Sequence, residues 1–175
     1  MNTEDILFNM VILGISRFLD LLSTWYCTPN FKMGVNPWMK TASWKTVILV
    51  NIILVIILPV VLQKRTIFLA VLFTLYALRN FQTGIISRAM GEEAYLDTYR
   101  QFLKNSPWYI PLLPIVFEVF VFTTMGLTII FQIGKPQDLS QEYVKMIGAA
   151  FLTFGWIIGS MTIIERLEAK YSKHS

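Results

Sequence analysis

The sequence predicts an all-α integral membrane protein, a bundle of five transmembrane helices joined by one amphipathic interfacial helix. Three observations predict it. The 175 residues are 55% hydrophobic and only 15% charged, with a mean hydropathy of +0.56, too apolar for a soluble domain of this size. Five apolar runs each approach the roughly 20 residues that cross about 30 Å of hydrocarbon. Trp25, Tyr26, Trp38, Trp44, Trp108, Tyr109 and Tyr143 fall near the run ends, where amphipathic rings settle among headgroups.

The first run, 6–26, follows an acidic MNTED start with no small-x-small cleavage pattern after it, so it is expected to stay as a helix rather than leave as a signal peptide. The second and third, 44–62 and 67–86, are separated only by the QKRT turn and must form an antiparallel hairpin. Next, EEAYLDTYRQFLKNSP sets Tyr95, Leu96, Tyr99, Phe102 and Leu103 on one helical face, with Glu92 and Glu93 in its first turn and Lys104 in its last. This predicts an amphipathic helix over 92–104, either along the inner membrane surface or tucked under the bundle. The fourth run, 110–133, opens among Pro107, Pro111 and Pro114, and Pro114 reads either as a bent entry into the membrane or as a kink that frees a backbone carbonyl near Glu118. The fifth, 143–164, carries Gly155-x3-Gly159, then Ser160, with Gly148 nearby, a packing face within the bundle or between subunits. The whole chain, 1–175, reads as one transmembrane domain.

Basic residues close to the spans set the orientation. Lys64, Arg65, Lys135 and Lys145 share the N-terminal side, whereas Lys32, Lys40, Lys45, Arg88, Arg100, Lys104, Arg166, Lys170 and Lys173 share the other. The expected topology is multi-pass in the cell membrane, with the N-terminus outside and the C-terminus cytoplasmic. The net charge of +4 is dispersed singly, so the expected partners are the lipid bilayer and its anionic cytoplasmic headgroups rather than nucleic acid, together with a homo-oligomer or a membrane partner. Cys27 is the single cysteine and His174 the single histidine, so no metal set and no cofactor is expected.

Charges inside spans cost about 2.5–3.5 kcal/mol each near a helix centre, which makes them candidate site residues. Arg17, Asp20, Arg79 and Glu118 all lie within about 6 Å of the midplane on its inner side, taking a rise of about 1.5 Å per residue. Asn51 and Asn80, with Gln82, sit at similar depth. The expected binding set is therefore Arg17, Asp20, Asn51, Arg79, Asn80 and Glu118, a neutral polar layer with each acid satisfied by an arginine. Such a layer serves either a proton or solute site or helix register.

Asp20-x3-Thr24 followed by Gly34-Val35-Asn36-Pro37 resembles the pattern of a family of small uncharacterised multi-pass membrane proteins of bacteria and archaea. In that family an Asp and a Thr near the end of the first helix precede a Glu-x-Asn-Pro element, and here Gly34 stands where the glutamate belongs. The resemblance implies no reaction, but it connects Thr24, Asn36 and Pro37 with Asp20. Asn36-Pro37 alone also reads as a helix start, with Asn capping and Pro at the first helical position.

No Ser/His pair can be assembled, and arginines beside Asp20 and Glu118 oppose a proton-sharing acid dyad. The expected function is a non-catalytic membrane subunit or scaffold, not an enzyme. The alternative is a proton-coupled or small-solute transporter using Asp20 and Glu118.

Overall fold

The computed structural model describes residues 3–29 and 43–171. Among them every regular element is a helix. Helix α1 spans Thr3–Cys27 and opens with Glu4 and Asp5, whose charges favour the positive end of the helix dipole. Helix α2 spans Trp44–Leu62, where the Ser43 hydroxyl accepts from the Thr46 N–H at 3.3 Å and caps the start. A three-residue 3-10 turn, Gln63–Arg65, leads into α3, Thr66–Met90. Gln63 adopts φ +52, a conformation that costs a non-glycine residue about 1–3 kcal/mol, and the Asn9 side-chain amide of α1 donates to its carbonyl at 3.2 Å. Gly91, at φ +87, ends α3 and opens α4, Glu92–Asn105. Helix α5, Leu112–Ile133, begins directly after Pro111, and α6 spans Leu139–Tyr171.

The contacts along α1 establish the direction of its neighbours. Moving down α1, Asn9 meets the Gln63 carbonyl, Gly14 faces Val55, Arg17 meets Asn51, and the Pro29 carbonyl accepts from the Trp44 indole. Helix α2 is thus antiparallel to α1. In the same direction Arg17 meets Phe73, Ser23 and Thr24 meet Asn80, and the Cys27 carbonyl meets Ser87, so α3 is parallel to α1. The turn therefore reverses the chain, but α2 and α3 lie on different sides of α1 and barely touch. On the far side of α3, Leu72 packs with Phe154 and Ile158 of α6, with Tyr76 against the cluster, and α5 lies on the opposite side of α6. The side-by-side order is α2, α1, α3, α6, α5.

This row buries little of its own apolar surface. Ile52, Ile56, Val61, Phe117, Phe120 and Phe131 are among many large apolar side chains left exposed, an outer surface suited to lipid rather than water. Among the described residues, four segments are long and apolar enough to cross a membrane: Thr3–Cys27, Trp44–Met90, Leu112–Ile133 and Leu139–Leu167. The second contains the chain reversal at Gln63–Arg65.

Three sequence expectations change here, the first being the hairpin, because α2 and α3 reverse the chain but pack on α1 rather than on each other. Pro114 is the third residue of α5, in the first turn, where the helix has no backbone acceptor for its missing N–H, so it opens the helix instead of kinking it near Glu118. The proline inside a helix is Pro59, buried near the end of α2. The final helix is also longer than its apolar run at both ends, with Asp138 accepting from the Gln141 N–H at 2.8 Å to cap its start.

Candidate functional site

The seam between α1 and α3 is built mainly from small or polar residues on alternating three- and four-residue spacing. In α1 these are Asn9, Leu13, Ser16, Ser23 and Cys27, all buried. In α3, Ala77, Gly84 and Ser87 are buried on the matching face. Gly84 brings the backbones close: a Cβ there would stand 2.6 Å from the Tyr26 ring and 3.2 Å from the Cys27 Cα.

Arg17 sits beside this seam and is held on three sides. Its Nη1 donates to Asp20 Oδ2 at 2.7 Å, its Nε donates to Asn51 Oδ1 at 2.5 Å, and its guanidinium lies 3.9 Å from the Phe73 ring centroid. The side chains of Arg17 and Asp20 are 13% and 17% exposed, so the pair is largely shielded. Asn51 Nδ2 donates in turn to the Val47 carbonyl at 2.7 Å, which fixes its amide and leaves Oδ1 for the arginine. Three helices thus meet at one guanidinium.

About two turns along from Arg17, Asn80 Nδ2 lies 3.3 Å from Thr24 Oγ1 and 3.4 Å from Ser23 Oγ. Thr24 is therefore engaged by α3. Asn36 and Pro37, with Gly34, lie outside the described residues.

Arg79 and Glu118 do not join this group. Each is half-buried, and neither makes a hydrogen bond or ion pair among the described residues. Depth is not the obstacle: Phe122, one turn from Glu118, packs on Phe154, which packs on Tyr76 near Arg79. Lateral position is the obstacle, because α6 stands between α5 and α3. The four-charge layer is corrected accordingly, to one three-helix clamp and two separate side chains. Gln82 is exposed.

Glycines mark the α5–α6 contact. A Cβ on Gly126 would lie 2.6 Å from the Gly148 carbonyl oxygen, one on Gly155 would lie 3.0 Å from the Phe122 Cβ, and one on Gly159 would lie 2.9 Å from Val119 Cγ2. Gly155 and Gly159 therefore face α5 within the chain, while Ser160 is exposed and its hydroxyl donates to the Trp156 carbonyl at 2.9 Å.

The end of the bundle where α1 finishes carries polar contacts that the apolar-run reading does not reach. Arg88 Nε donates to the Tyr26 carbonyl at 2.8 Å, and the Thr28 hydroxyl donates to the Glu92 carboxylate. Helix α4 is tied beneath α3 and α6. Arg166 donates through Nη1 to the Leu103 carbonyl at 2.9 Å and through Nη2 to the Ser106 carbonyl at 3.0 Å, satisfying the carbonyls at the end of α4. The Tyr99 hydroxyl donates to Glu165 at 2.9 Å, and the Tyr95 and Tyr99 rings stack with planes 3° apart. Burial raises both tyrosine hydroxyls above their ordinary range, so they remain protonated donors. Of the face predicted for this helix, Leu103 is buried, Tyr95, Leu96 and Tyr99 are half-buried and Phe102 is exposed.

Compared with known protein families, with curated proteins and with solved structures, the chain shows no match.

Proposed function

We propose that this chain is a five-span membrane protein, N-terminus outside and C-terminus cytoplasmic, acting as a non-catalytic membrane subunit or scaffold in contact with anionic headgroups. The observation that carries the reading is the engagement of Arg17 from three sides. Its charge is neutralised by Asp20, its Nε is taken by Asn51 and its face is covered by Phe73, which leaves it committed to holding α1, α2 and α3 in register. A carrier needs a charged group that exchanges partners, and Asp20 is engaged by Arg17 while Glu118 lies beyond α6.

The test uses the purified full-length chain in proteoliposomes containing a pH-sensitive dye. The scaffold reading expects proton flux equal to that of protein-free vesicles, with Asp20→Asn lowering resistance to detergent unfolding. Flux above that background that disappears in Asp20→Asn or Glu118→Gln would replace the scaffold reading with transport. Orientation is checked by protease protection of tags at the two termini, and an outward C-terminus would reverse the assignment.

A further inference from the structure

Arg88, in the last turn of α3, sits where α1 ends, and most of its guanidinium is unused. Its Nε donates to the Tyr26 carbonyl at 2.8 Å, one of the carbonyls that the end of α1 leaves without a helical partner. Ser87 beside it donates to the next such carbonyl, that of Cys27, at 3.1 Å. Capping needs one donor and a positive charge. A guanidinium carries five donors in a planar fork, and among the described residues no hydrogen bond or ion pair occupies the two terminal nitrogens of Arg88.

The fork is held in place by aromatic rings. Its central carbon lies 5.6 Å from the Trp25 ring centroid and 5.4 Å from that of Tyr26, within cation–π range of both. The Tyr26 ring is backed in turn by Phe81 of α3, with centroids 5.8 Å apart. Arg88 is exposed and Trp25 is 50% exposed, so the fork lies at the surface of the α1–α3 seam and not inside it. Trp25 and Tyr26 stand at the end of the apolar segment Thr3–Cys27, the depth at which amphipathic rings meet headgroups. One turn back into that segment the same helix faces are apolar: Leu22 precedes Tyr26 by four residues, Ile85 precedes Arg88 by three, and both are exposed.

We infer that Arg88, Trp25 and Tyr26 form a docking site for one membrane phospholipid, its phosphate diester on the two terminal nitrogens of Arg88 and its acyl chains along Leu22 and Ile85. The charge is complementary, since a planar guanidinium fork matches two phosphate oxygens and the single positive charge balances a diester. A free phosphate would use the fork and leave the apolar surface beside it uncovered, whereas a diacyl lipid covers both. This specifies the headgroup contact of the proposed function and rests on that reading's placement of the chain in a bilayer.

The experiment titrates the purified full-length chain in neutral detergent micelles with dioleoyl phosphatidylglycerol and with dioleoylglycerol, which has the same chains and no phosphate, and counts bound lipid by native mass spectrometry. The phosphate should tighten binding about tenfold, the worth of a hydrogen-bonded charge contact. Arg88→Gln should remove that preference, while Arg100→Gln, which changes another exposed arginine, should keep it. If Arg88→Gln does not fold, Arg88→Lys keeps the charge without the fork and should weaken phosphatidylglycerol binding, with the melting midpoint recorded alongside. Equal affinity for the two lipids, an unchanged preference in a folded Arg88 variant, or displacement of phosphatidylglycerol by free glycerol 3-phosphate would overturn the site. Proton flux in the vesicle assay would strike the scaffold reading and leave this lipid preference standing, so the two failures are distinguishable.

Discussion

Arg17 and Asp20 should behave as one energetic unit, and a double-mutant cycle measures how strongly. Arg17→Leu removes the 2.7 Å ion pair, the Asn51 bond and the Phe73 contact, leaving a carboxylate only 17% exposed. Breaking a buried pair from one side costs about 3–5 kcal/mol. Protonation limits that cost, since holding a carboxyl neutral at pH 7 against an ordinary pKa of about 3.9 takes about 4 kcal/mol. Asp20→Leu has no such escape, because a guanidinium does not deprotonate in this range, so its expected loss is also about 3–5 kcal/mol despite the retained Asn51 and Phe73 contacts. The double variant removes both charges. It leaves only the Asn51 oxygen without its donor, worth about 1–2 kcal/mol. The expected coupling is therefore at least about 3 kcal/mol, built from those two single losses and the smaller double loss. The assay is unfolding of the purified chain in mixed micelles titrated with SDS, followed by circular dichroism and tryptophan fluorescence. A double variant that loses the sum of the two single losses would refute the clamp as a structural unit.

Other perturbations separate the contacts that hold the row together. Gly126→Ala should destabilise by about 1–3 kcal/mol in the same unfolding assay because the new methyl meets the Gly148 carbonyl oxygen, whereas Gly14→Ala, whose Cβ meets Val55 at 3.6 Å, should be neutral or stabilising. Arg166→Lys should loosen α4, since one ammonium does not reproduce the planar fork that reaches both Leu103 and Ser106, and faster hydrogen exchange across Glu92–Asn105 is the readout. The Asp138 carboxyl is held below the ordinary range by the Gln141 N–H and then the Ser140 hydroxyl, so its capping contribution is complete above the unfolded carboxyl pKa and disappears as pH falls through the folded value. Acidification should therefore lower the amide protection factors at Ser140–Glu142, taken after correction for the intrinsic pH dependence of exchange, in the parent chain, while in Asp138→Asn, which keeps an acceptor oxygen without titrating, the protection factors should lack that acid dependence.

Helix positions were more legible in the sequence than helix neighbours, for a physical reason. Hydropathy reports what a segment must be immersed in, and Trp44–Leu62 is visible because nearly every side chain in it is apolar. Depth also follows from residue position, and the Arg17–Asp20–Asn51 meeting was accessible because Arg17 and Asp20 share a helical face and Asn51 lies at their level. Lateral order was not accessible. Arg79 and Glu118 occupy comparable depth, but nothing in a depth argument places α6 between their helices. The better lateral signal was the spacing 9, 13, 16, 20, 23, 27 in α1 and 73, 77, 80, 84, 87 in α3, two stripes of mainly small or polar residues that face each other. Phe73 belongs to the second stripe, which explains why an aromatic side chain covers Arg17. The roles of Tyr99 and Arg166 escaped because they act in the foot beneath the spans, where hydropathy carries no information.

Register in a lipid-facing bundle has to come from something other than apolarity, because lipid tails compete with leucine and isoleucine on equal terms. Helix α1 supplies it in steps: Asn9 on the Gln63 carbonyl, Arg17 on Asn51, Ser23 and Thr24 with Asn80, and the Cys27 carbonyl with Ser87. A slip of α3 by one residue would rotate Asn80 and Ser87 by about 100° and break the lower steps together, and the same slip would turn Phe73 off the guanidinium. Helix α2 is fixed by fewer points, at its two ends and at Asn51, and is otherwise apolar all round. Losing Asn51 should therefore free α2 before it disturbs the α1–α3 pair. That ordering places Arg17 in the role of a latch for an edge helix, and it makes α2 the element through which the bundle would yield.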